Sequence, residues 1–374
     1  MTPIIKIIDL KKIRKEKKPF QAISTDAIIE IQNALKQEKR IVIFINRKGL
    51  ATSIVCQECG FVFKCPNCDI PLGFHNEGRL ICHHCNYNIS MPLVCPVCRG
   101  YKLKPLGIGI ERIAEEIKKF IIPTPPFALI EGQMPASPKR GEPDEQELDI
   151  FDKFNKGNIK ILIGTEALLR PQLEIAPLVI VASVDPALFL PDYYSEERVF
   201  LNLLKLKALS KEKLIIQTLI PENKLFQYFM KNEEKKFLQE EKKWRKDYLW
   251  PPYVQLIKLT LAHKDEKKGT KEAEEIKRNL EQAINKLIPE NLQKNFIILG
   301  PAQAFVFKEK GFYKWNILIK YKYFESKIKE EINSLSGFNL LSPILTKKEL
   351  VLRNKILKYV PSNWKIDVDP INIL

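Results

Sequence analysis

Four Cys-x-x-Cys pairs constrain the fold of this chain more than any other feature of its sequence. All eight cysteines of the 374 residues lie between positions 56 and 98, and the rest of the sequence contains none. In such a pair, two thiolates on one tight turn can occupy adjacent corners of a metal tetrahedron. The four pairs are Cys56/Cys59, Cys65/Cys68, Cys82/Cys85 and Cys95/Cys98.

Eight thiolates can close two four-coordinate sites, so the sequence predicts two structural Zn²⁺ ions with no position left for water. A segment this short cannot build much of a core, and structural zinc can contribute about 10–16 kcal/mol of apparent binding energy to folding. The alternatives are disulfides or scattered buried thiols. The N-terminal sequence MTPIIKIIDLKK lacks an apolar signal core, which favours a cytoplasmic protein in a reducing compartment, where disulfides are rare.

The spacing does not decide which pairs share a metal ion. Four pairs can be combined in three ways, and each combination satisfies two tetrahedral sites. Three histidines, His75, His83 and His84, lie in the same segment and could also ligate. Because eight thiolates already close two sites, we do not assign the histidines as ligands.

The balance of charge points to a polyanionic partner. Lys and Arg total 61 against 45 Asp and Glu, a net charge of +16, and the simplest partner for such a chain is nucleic acid. A membrane partner is not predicted, because the longest apolar stretch, 178–190, is interrupted by Asp185 and is shorter than the roughly 20 residues that span a bilayer.

The hydrophobic pattern predicts an α/β fold with a mostly parallel sheet. Apolar runs at 41–45, 159–163, 178–184 and 214–218 are typical of strands buried on both faces, and helical patterns separate them. We expect a basic linker at 11–18, solvated surface at 144–147 and one charged connector helix at 224–246. An α+β pattern follows, with strands at 254–262, 296–299, 316–320 and 364–368 and helices at 270–287 and 325–335.

These patterns predict three parts of the chain. Residues 1–53 and 101–222 form an α/β lobe, residues 54–100 form an inserted zinc-binding module, and residues 223–374 form the helical connector and a C-terminal α+β domain. The insertion follows the strand at 41–45, because the alternation of strands and helices resumes only after the last cysteine pair.

Several short motifs occur along the chain in a distinctive order and spacing. They are Asn46-Arg47-Lys48-Gly49, the four cysteine pairs, Gly107-x-Gly109, Ile161-Leu162-Ile163-Gly164-Thr165, Asp185-Pro186-Ala187-Leu188-Phe189-x-Pro191-Asp192-Tyr193, Glu197-Arg198, Pro251-Pro252 and Asp367-Val368-Asp369-Pro370. This series resembles the primosomal protein N′ (PriA) family of replication-restart DNA helicases, over its C-terminal half. Nearly the whole chain takes part in the resemblance, in which the cysteine array is the most specific element.

The resemblance implies a second RecA-like helicase lobe, a cysteine-rich insertion and a C-terminal domain that contacts branched DNA. It also implies a ligand pairing. Cys56, Cys59, Cys95 and Cys98 would bind one zinc, and Cys65, Cys68, Cys82 and Cys85 the other. Forked or single-stranded DNA, primosome proteins and single-strand-binding proteins would be the partners.

Two departures from the family pattern bear on activity. The chain contains no Gly-x-x-x-x-Gly-Lys-Ser/Thr phosphate-binding loop. Residues 203–213, LLKLKALSKEK, contain no arginine where the family has an arginine-rich motif, and an arginine finger can contribute about 10³–10⁵ in phosphoryl-transfer rate. We therefore expect no ATP hydrolysis from this chain alone and do not assign ATP or Mg²⁺ as ligands.

Three functions remain open at this stage. The first is a PriA-like protein that binds forked or single-stranded DNA without hydrolysing ATP. The second is one lobe of a split ATP-dependent 3′-to-5′ helicase that a separate P-loop lobe completes. The third is a scaffold whose zinc module binds only protein.

Candidate DNA contacts follow two strand ends, where helicase lobes face DNA or nucleotide. They are Arg47, Lys48 and Thr165, with ordinary surface charge as the alternative for the first two. A second set interleaves aromatic side chains with lysines and could stack on bases, although a strand pair with an aromatic core face is the favoured explanation. This set comprises Phe305, Phe307, Phe312, Tyr313 and Trp315 with Lys308, Lys310 and Lys314.

Overall fold

The structure is a computed structural model of the chain. It describes residues 2–15, 22–46, 53–66, 71–75, 78–82, 86–105, 110–130, 145–309, 311–323, 346–370 and 373. Within these ranges, the strands are β1 (Ile4–Asp9), β2 (Ile41–Ile45), β3 (Ile54–Cys56), β4 (Gly73–His75), β5 (Arg79–Ile81), β6 (Asn88–Ser90), β7 (Leu103–Pro105), β8 (Phe127–Ile130), β9 (Ile161–Gly164), β10 (Ala176–Ser183), β11 (Ser210–Thr218), β12 (Val254–His263), β13 (Phe296–Glu309), β14 (Phe312–Lys322) and β15 (Lys365–Val368).

The helices of the described ranges are named in the same way. They are α1 (Leu10–Lys15), α2 (Thr25–Lys36), α3 (Ile110–Phe120), α4 (Glu145–Asn155), α5 (Asp185–Leu188), α6 (Ser195–Leu209), α7 (Lys224–Lys231), α8 (Glu234–Asp247), α9 (Glu266–Leu287), α10 (Glu290–Gln293) and α11 (Lys347–Leu357). Among the described residues, none of these helices is both long and apolar enough to cross a membrane.

A six-stranded sheet organises the first half of the chain. Its order is β1-β11-β10-β2-β9-β8, and every neighbouring pair is parallel. All five residues of β2 are buried, as expected for a parallel strand covered on both faces. The α/β class and the parallel sheet predicted from the apolar runs are confirmed.

Helices α2 and α3 cover one face of this sheet. Ile28 and Ile31 of α2 and Ile113 and Ile117 of α3 join Ile43 of β2 in one buried apolar cluster. The four helical isoleucines recur at the spacing that places them on one side of each helix. Ser24 caps the start of α2 by accepting a hydrogen bond from the backbone N–H of Ala27 at 3.2 Å.

Two sequence expectations near the helices are wrong. The expected basic linker at 11–18 is helical over residues 11–15, because α1 runs from Leu10 to Lys15. The expected connector at 224–246 is two helices, because Asn232 adopts a left-handed conformation (φ 56°) between α7 and α8. Asparagine tolerates this conformation better than most residues, and it therefore ends a helix readily.

An antiparallel sheet organises the end of the chain. Its strand order is β13-β14-β12-β15, and α9 and α11 pack on one face of it through a shared apolar cluster that contains Leu280, Ile317 and Ile356. The predicted strands at 296–299 and 316–320 are the beginning and centre of two much longer strands, β13 and β14. The predicted helix at 325–335 lies outside the described residues.

The aromatic residues of this hairpin belong mainly to the core. Trp315 is 3% exposed, and Phe307 and Tyr313 pack against the same cluster, with the rings of Phe307 and Trp315 perpendicular at 5.3 Å. Lys308 lies 4.7 Å from the Tyr313 ring centroid. The structural interpretation of these three aromatics is confirmed, and base stacking would be limited to more exposed side chains such as Phe312.

The chain separates into two compact units. One comprises residues 1–63, 92–190 and 194–233, and the other comprises residues 64–91, 191–193 and 234–374. The boundaries divide the cysteine-rich segment, because the first and last cysteine pairs fall in one unit and the two middle pairs in the other.

Candidate metal centre

The first and last cysteine pairs meet in the structure. Strand β3 pairs with β7 in an antiparallel ladder that places Cys56 opposite Leu103, and the turn that carries Cys95 and Cys98 immediately precedes β7. The four Sγ atoms of Cys56, Cys59, Cys95 and Cys98 all lie within 4.8 Å of one another. We call this group the outer cluster.

The outer cluster has the dimensions of a zinc site. The Sγ atoms of Cys56 and Cys98 are 3.5 Å apart, and those of Cys59 and Cys95 are 3.6 Å apart. A tetrahedron with Zn–S bonds of about 2.3 Å requires sulfur separations of about 3.8 Å, whereas a disulfide requires about 2.0 Å. The donor set therefore fits one tetrahedral Zn²⁺ ion, held by four thiolates with no position open to substrate.

The same backbone turn positions the first cysteine of three pairs. In each turn, the N–H of the cysteine donates to the carbonyl five residues ahead, and its carbonyl accepts from the N–H four residues ahead. The lengths are 2.9 and 2.8 Å at Cys56, 2.7 and 3.0 Å at Cys82, and 2.8 and 2.9 Å at Cys95. The residue four positions after each cysteine has a positive φ, and these residues are Gly60, Asn86 and Arg99.

This left-handed position is a functional feature that the cysteine spacing alone does not reveal. Gly60 and Asn86 are residue types that adopt positive φ at low cost, so their distance from the preceding cysteine is a usable sequence signal. Arg99 carries no such signal, because arginine rarely adopts a positive φ. Its φ of 59° is imposed here by the turn.

Burial and hydrogen bonds shift the pKa values of the outer-cluster thiols in opposite directions. Burial raises the pKa of the Cys59 thiol to about 12 and also raises the pKa of Cys56. Burial also acts to raise the pKa of Cys95. Hydrogen bonds from the backbone N–H groups of Cys98 and Val97, together with those from the neighbouring thiols, outweigh burial, and the pKa of Cys95 is therefore lowered. Four neighbouring thiolates therefore require a compensating cation.

The outer cluster is anchored at the carboxyl end of the parallel sheet. The Cys56–Gly60 turn rests on the residues that follow β11, since a Cβ atom at Gly60 would lie 2.7 Å from the Leu219 carbonyl oxygen and 2.6 Å from Ile220 Cγ2. Lys11 donates from Nζ to the Cys59 carbonyl at 3.5 Å and pairs with Glu222 at 2.7 Å. These contacts tie the turn to the segment that follows β11.

Replacing Gly60 with alanine is expected to destabilise the outer cluster more than the same change at Gly78. Both residues have positive φ (77° and 71°), but a Cβ at Gly78 meets nothing within 4 Å. Each variant should lose about 1–2 kcal/mol through the left-handed backbone, and only Gly60→Ala adds overlap with Leu219. Zinc extraction by a chelator, followed over time, should accelerate for Gly60→Ala alone, and equal rates for both variants would contradict the anchoring.

The inner cysteine pairs are only partly described. Cys65 and Cys82 are buried, and Cys82 directly follows β5 of the small sheet β4-β5-β6. Cys68 and Cys85 lie outside the described residues, as do His83 and His84, and His75 lies on β4. The structure thus brings together the outer four ligands of the predicted set, while the inner four stay a prediction.

Of the three predicted DNA contacts in the α/β lobe, the structure describes Thr165 alone. Arg47 and Lys48 lie outside the described residues. Thr165 follows β9 and is 6% exposed, with its backbone N–H donating to the Ile130 carbonyl at 3.2 Å. Glu147, expected to be solvated, instead pairs with Arg170 and has a side chain only 15% exposed, because α4 packs beside the turn that follows β9.

Comparisons with known proteins were made against family profiles and curated sequences. Residues 246–371 match the family described as the primosomal protein N C-terminal domain. Residues 65–89 match the cysteine-rich region domain of PriA DNA helicase. The two matches cover the antiparallel C-terminal domain and the inner cysteine pairs.

Similar curated proteins carry one name, replication restart protein PriA. The chain is 30% identical to the Borreliella burgdorferi protein over 88% of this chain and 49% of that protein. It is 30% identical to the Thermotoga maritima protein over 84% of this chain and 40% of that protein, and 25% identical to the Treponema pallidum protein over 100% of this chain and 52% of that protein. It spans about half the length or less of these relatives.

The comparisons agree with the cysteine array and with a separate C-terminal domain. The match to the cysteine-rich region of PriA and the clustering of the outer four cysteines both indicate a zinc-binding segment. The chain therefore belongs to the PriA replication-restart protein family.

Proposed function

We propose that this chain is a PriA-type replication-restart component that binds forked or single-stranded DNA and does not hydrolyse ATP on its own. The observation that carries the proposal is its similarity to replication restart proteins over at least 84% of its length, combined with a net charge of +16. Phosphate neutralisation by Lys and Arg supplies most non-specific DNA affinity. Primosome and single-strand-binding proteins are its proposed partners.

The proposed sites are those of the sequence analysis. The outer cluster would hold one structural zinc, and Cys65, Cys68, Cys82 and Cys85 would hold a second. Arg47, Lys48 and Thr165 are the proposed DNA contacts of the α/β lobe, taken as residues 1–53 and 101–222. Residues 54–100 would be the zinc module and residues 223–374 the connector and C-terminal domain.

The proposed lack of hydrolysis rests on the region after Arg198. Helix α6 ends at Leu209, and β11 begins at Ser210 without an intervening loop. The segment that would carry an arginine-rich motif is therefore the end of a helix and the start of a strand, and it contains only lysine as a cation. Lysine lacks the planar fork with which arginine contacts a transferring phosphoryl group.

Purified zinc-loaded protein is expected to bind forked DNA with strong salt dependence and to release no phosphate from ATP. Between about 50 and 200 mM salt, binding through six or more phosphates should weaken by about 10³-fold. Fluorescence anisotropy with a labelled fork measures affinity, and a phosphate-release assay measures turnover. Turnover that Arg198→Ala abolishes would contradict the proposal, and an Arg47→Gln/Lys48→Gln variant should bind the fork more weakly.

A second candidate is the lobe of a split helicase that a separate P-loop lobe completes. It is favoured by the six-stranded parallel sheet that the described residues form. A P-loop protein that co-purifies with the chain and restores DNA-stimulated turnover would support it. Absence of DNA binding at about 50 mM salt, where a basic protein binds most tightly, would favour a protein-binding scaffold instead.

A further inference from the structure

One side of helix α11 is basic and open to solvent. Its exposed residues recur at the spacing of a single helix face and, at about 100° per residue, fall within an arc of about 140°. They are Lys347, Lys348, Val351, Asn354, Lys355, Lys358 and Tyr359, the last two directly following the helix. We call this surface the lysine face.

The opposite side of the helix is committed to the fold. Ile356 is 2% exposed and joins the core of the antiparallel sheet, and Leu352 and Leu357 pack beside it. Arg353 donates from Nη1 to Gln255 Oε1 on β12 at 3.5 Å. The lysine face is thus held in one orientation by a packed helix rather than carried on a flexible segment.

The only carboxylate of the helix does not neutralise this face. Glu349 is 0% exposed, and its Oε2 accepts hydrogen bonds from the backbone N–H and the hydroxyl of Thr346 at 3.1 and 2.8 Å. In return, Thr346 Oγ1 accepts from the Glu349 N–H at 3.4 Å. The carboxylate is therefore used as an N-terminal cap, turned inward and away from the lysines.

None of the four lysines makes an ion pair with another residue in the part of the chain that the structure describes. Lys347 and Lys348 lie in the first turn, where the helix dipole disfavours a cation. Stability therefore does not account for their placement. Four unneutralised cations on one rigid surface match a polyanion, and the +16 net charge of the chain adds to the attraction.

The spacing of the lysines favours a duplex over a single strand. Lys348 and Lys355 are about 10 Å apart along the helix axis, and Lys347 and Lys358 are about 16 Å apart, at 1.5 Å per residue. The two ends of the face can thus reach phosphates on both sides of a major groove about 12 Å wide. Asn354 and Val351 lie between the lysine pairs and bring little bulk to the groove.

We infer that the lysine face is a contact surface for double-stranded DNA, on which Lys347, Lys348, Lys355 and Lys358 bind phosphates of both strands. The inference rests on the proposed DNA-binding function and adds to it a specific surface and a preference for a duplex arm. Four phosphate contacts would account for up to about 3.6 units of the log–log salt slope, at about 0.9 per phosphate.

The test compares two variants of the full zinc-loaded chain that lose the same charge. The first replaces the four lysines of the lysine face with glutamine. The control replaces Lys267, Lys268, Lys271 and Lys286 on α9, where exposed glutamates such as Glu274 and Glu275 are interspersed. Circular dichroism and thermal unfolding check that both variants fold.

We expect the lysine-face variant to bind a short duplex at least about tenfold more weakly than the parent and to lose about 2–3.6 units of salt slope. The control should lose less than one unit. Equal losses in both variants would overturn the inference, because net charge alone would then explain binding. A loss seen only with single-stranded DNA, or only with an acidic protein or anionic vesicles, would overturn it as well.

The two proposals fail differently. If the parent chain binds no DNA at low salt, the proposed function is wrong. If the parent binds and the lysine-face variant matches it, only the lysine face is misassigned, and the DNA contact lies elsewhere. A Lys355→Glu single variant that binds as tightly as the parent would have the same meaning, since charge reversal within the face should repel the duplex.

Discussion

Substitution of Cys95 by serine is expected to remove one zinc ion per chain and to unfold the turn that carries it. The outer cluster would then hold only three of the four thiolates required to close a tetrahedral site. Structural zinc contributes about 10–16 kcal/mol of apparent binding energy, so losing it should exceed the effect of any ordinary core substitution. Strands β3 and β7 should lose amide protection, because the metal ties together the turns next to them.

Metal analysis and hydrogen exchange measure these two effects. We expect two zinc ions in the parent and one in Cys95→Ser, with faster exchange in residues 54–66 and 92–105 and unchanged exchange in β2 and β10. Ser90→Ala, which alters the same segment without removing a thiolate, should retain both ions. Full zinc content in Cys95→Ser, or a single zinc in the parent, would contradict the two-site assignment.

Removal of Arg245 alone is expected to destabilise the C-terminal unit by about 3–5 kcal/mol. Arg245 is 1% exposed, donates from Nε to Glu241 Oε1 at 2.8 Å and from Nη1 to the Pro251 carbonyl at 3.2 Å, and lies over the Tyr193 ring at 5.4 Å. Arg245→Met would remove the cation that contacts the buried Glu241 carboxylate at 2.8 Å. The loss of this attraction at a desolvated carboxylate is the dominant cost.

A double variant separates this cost from lost packing. Arg245→Met combined with Glu241→Leu removes both charges and should recover most of the thermal stability. The exposed pair Lys277–Glu281 on α9 has the same i, i+4 spacing at 3.9 Å, and Lys277→Met should change stability by less than about 1 kcal/mol. If Arg245→Met unfolds at the temperature of the Lys277→Met control, the buried pair contributes nothing measurable.

The sequence pattern did not distinguish these two ion pairs. Glu241 and Arg245 stand in a helix whose composition is so charged that it predicts a solvated connector. In the structure, Trp250 beside them is fully buried, stacking on Tyr193 at 5.1 Å, and Lys320 lies 3.3 Å above the Trp250 ring centroid. The environment that buries the pair comes from residues distant in sequence, which periodicity within one helix cannot indicate.

Local patterns were sufficient where the physical requirement is itself local. A strand buried on both faces needs a continuous apolar run, and β2, β9 and β10 satisfy this requirement within a few residues. A metal turn needs two thiolates two residues apart, with a left-handed position soon after them. The order of the strands in the sheet required the whole chain, because each parallel pair joins segments separated by helices.

By itself, the amino-acid sequence determined that this protein has an α/β lobe, a cysteine-rich segment suited to structural zinc and a basic surface, since each depends on residue type and short spacing. Only the tertiary structure decided that Cys56 and Cys59 meet Cys95 and Cys98, that Glu241 pairs with Arg245 and Glu147 with Arg170 away from solvent, and which side of α11 remains open. The physical reason is that burial and proximity are set by contacts between distant segments. Composition fixes how many charges and thiols a chain has, and packing fixes which of them remain available.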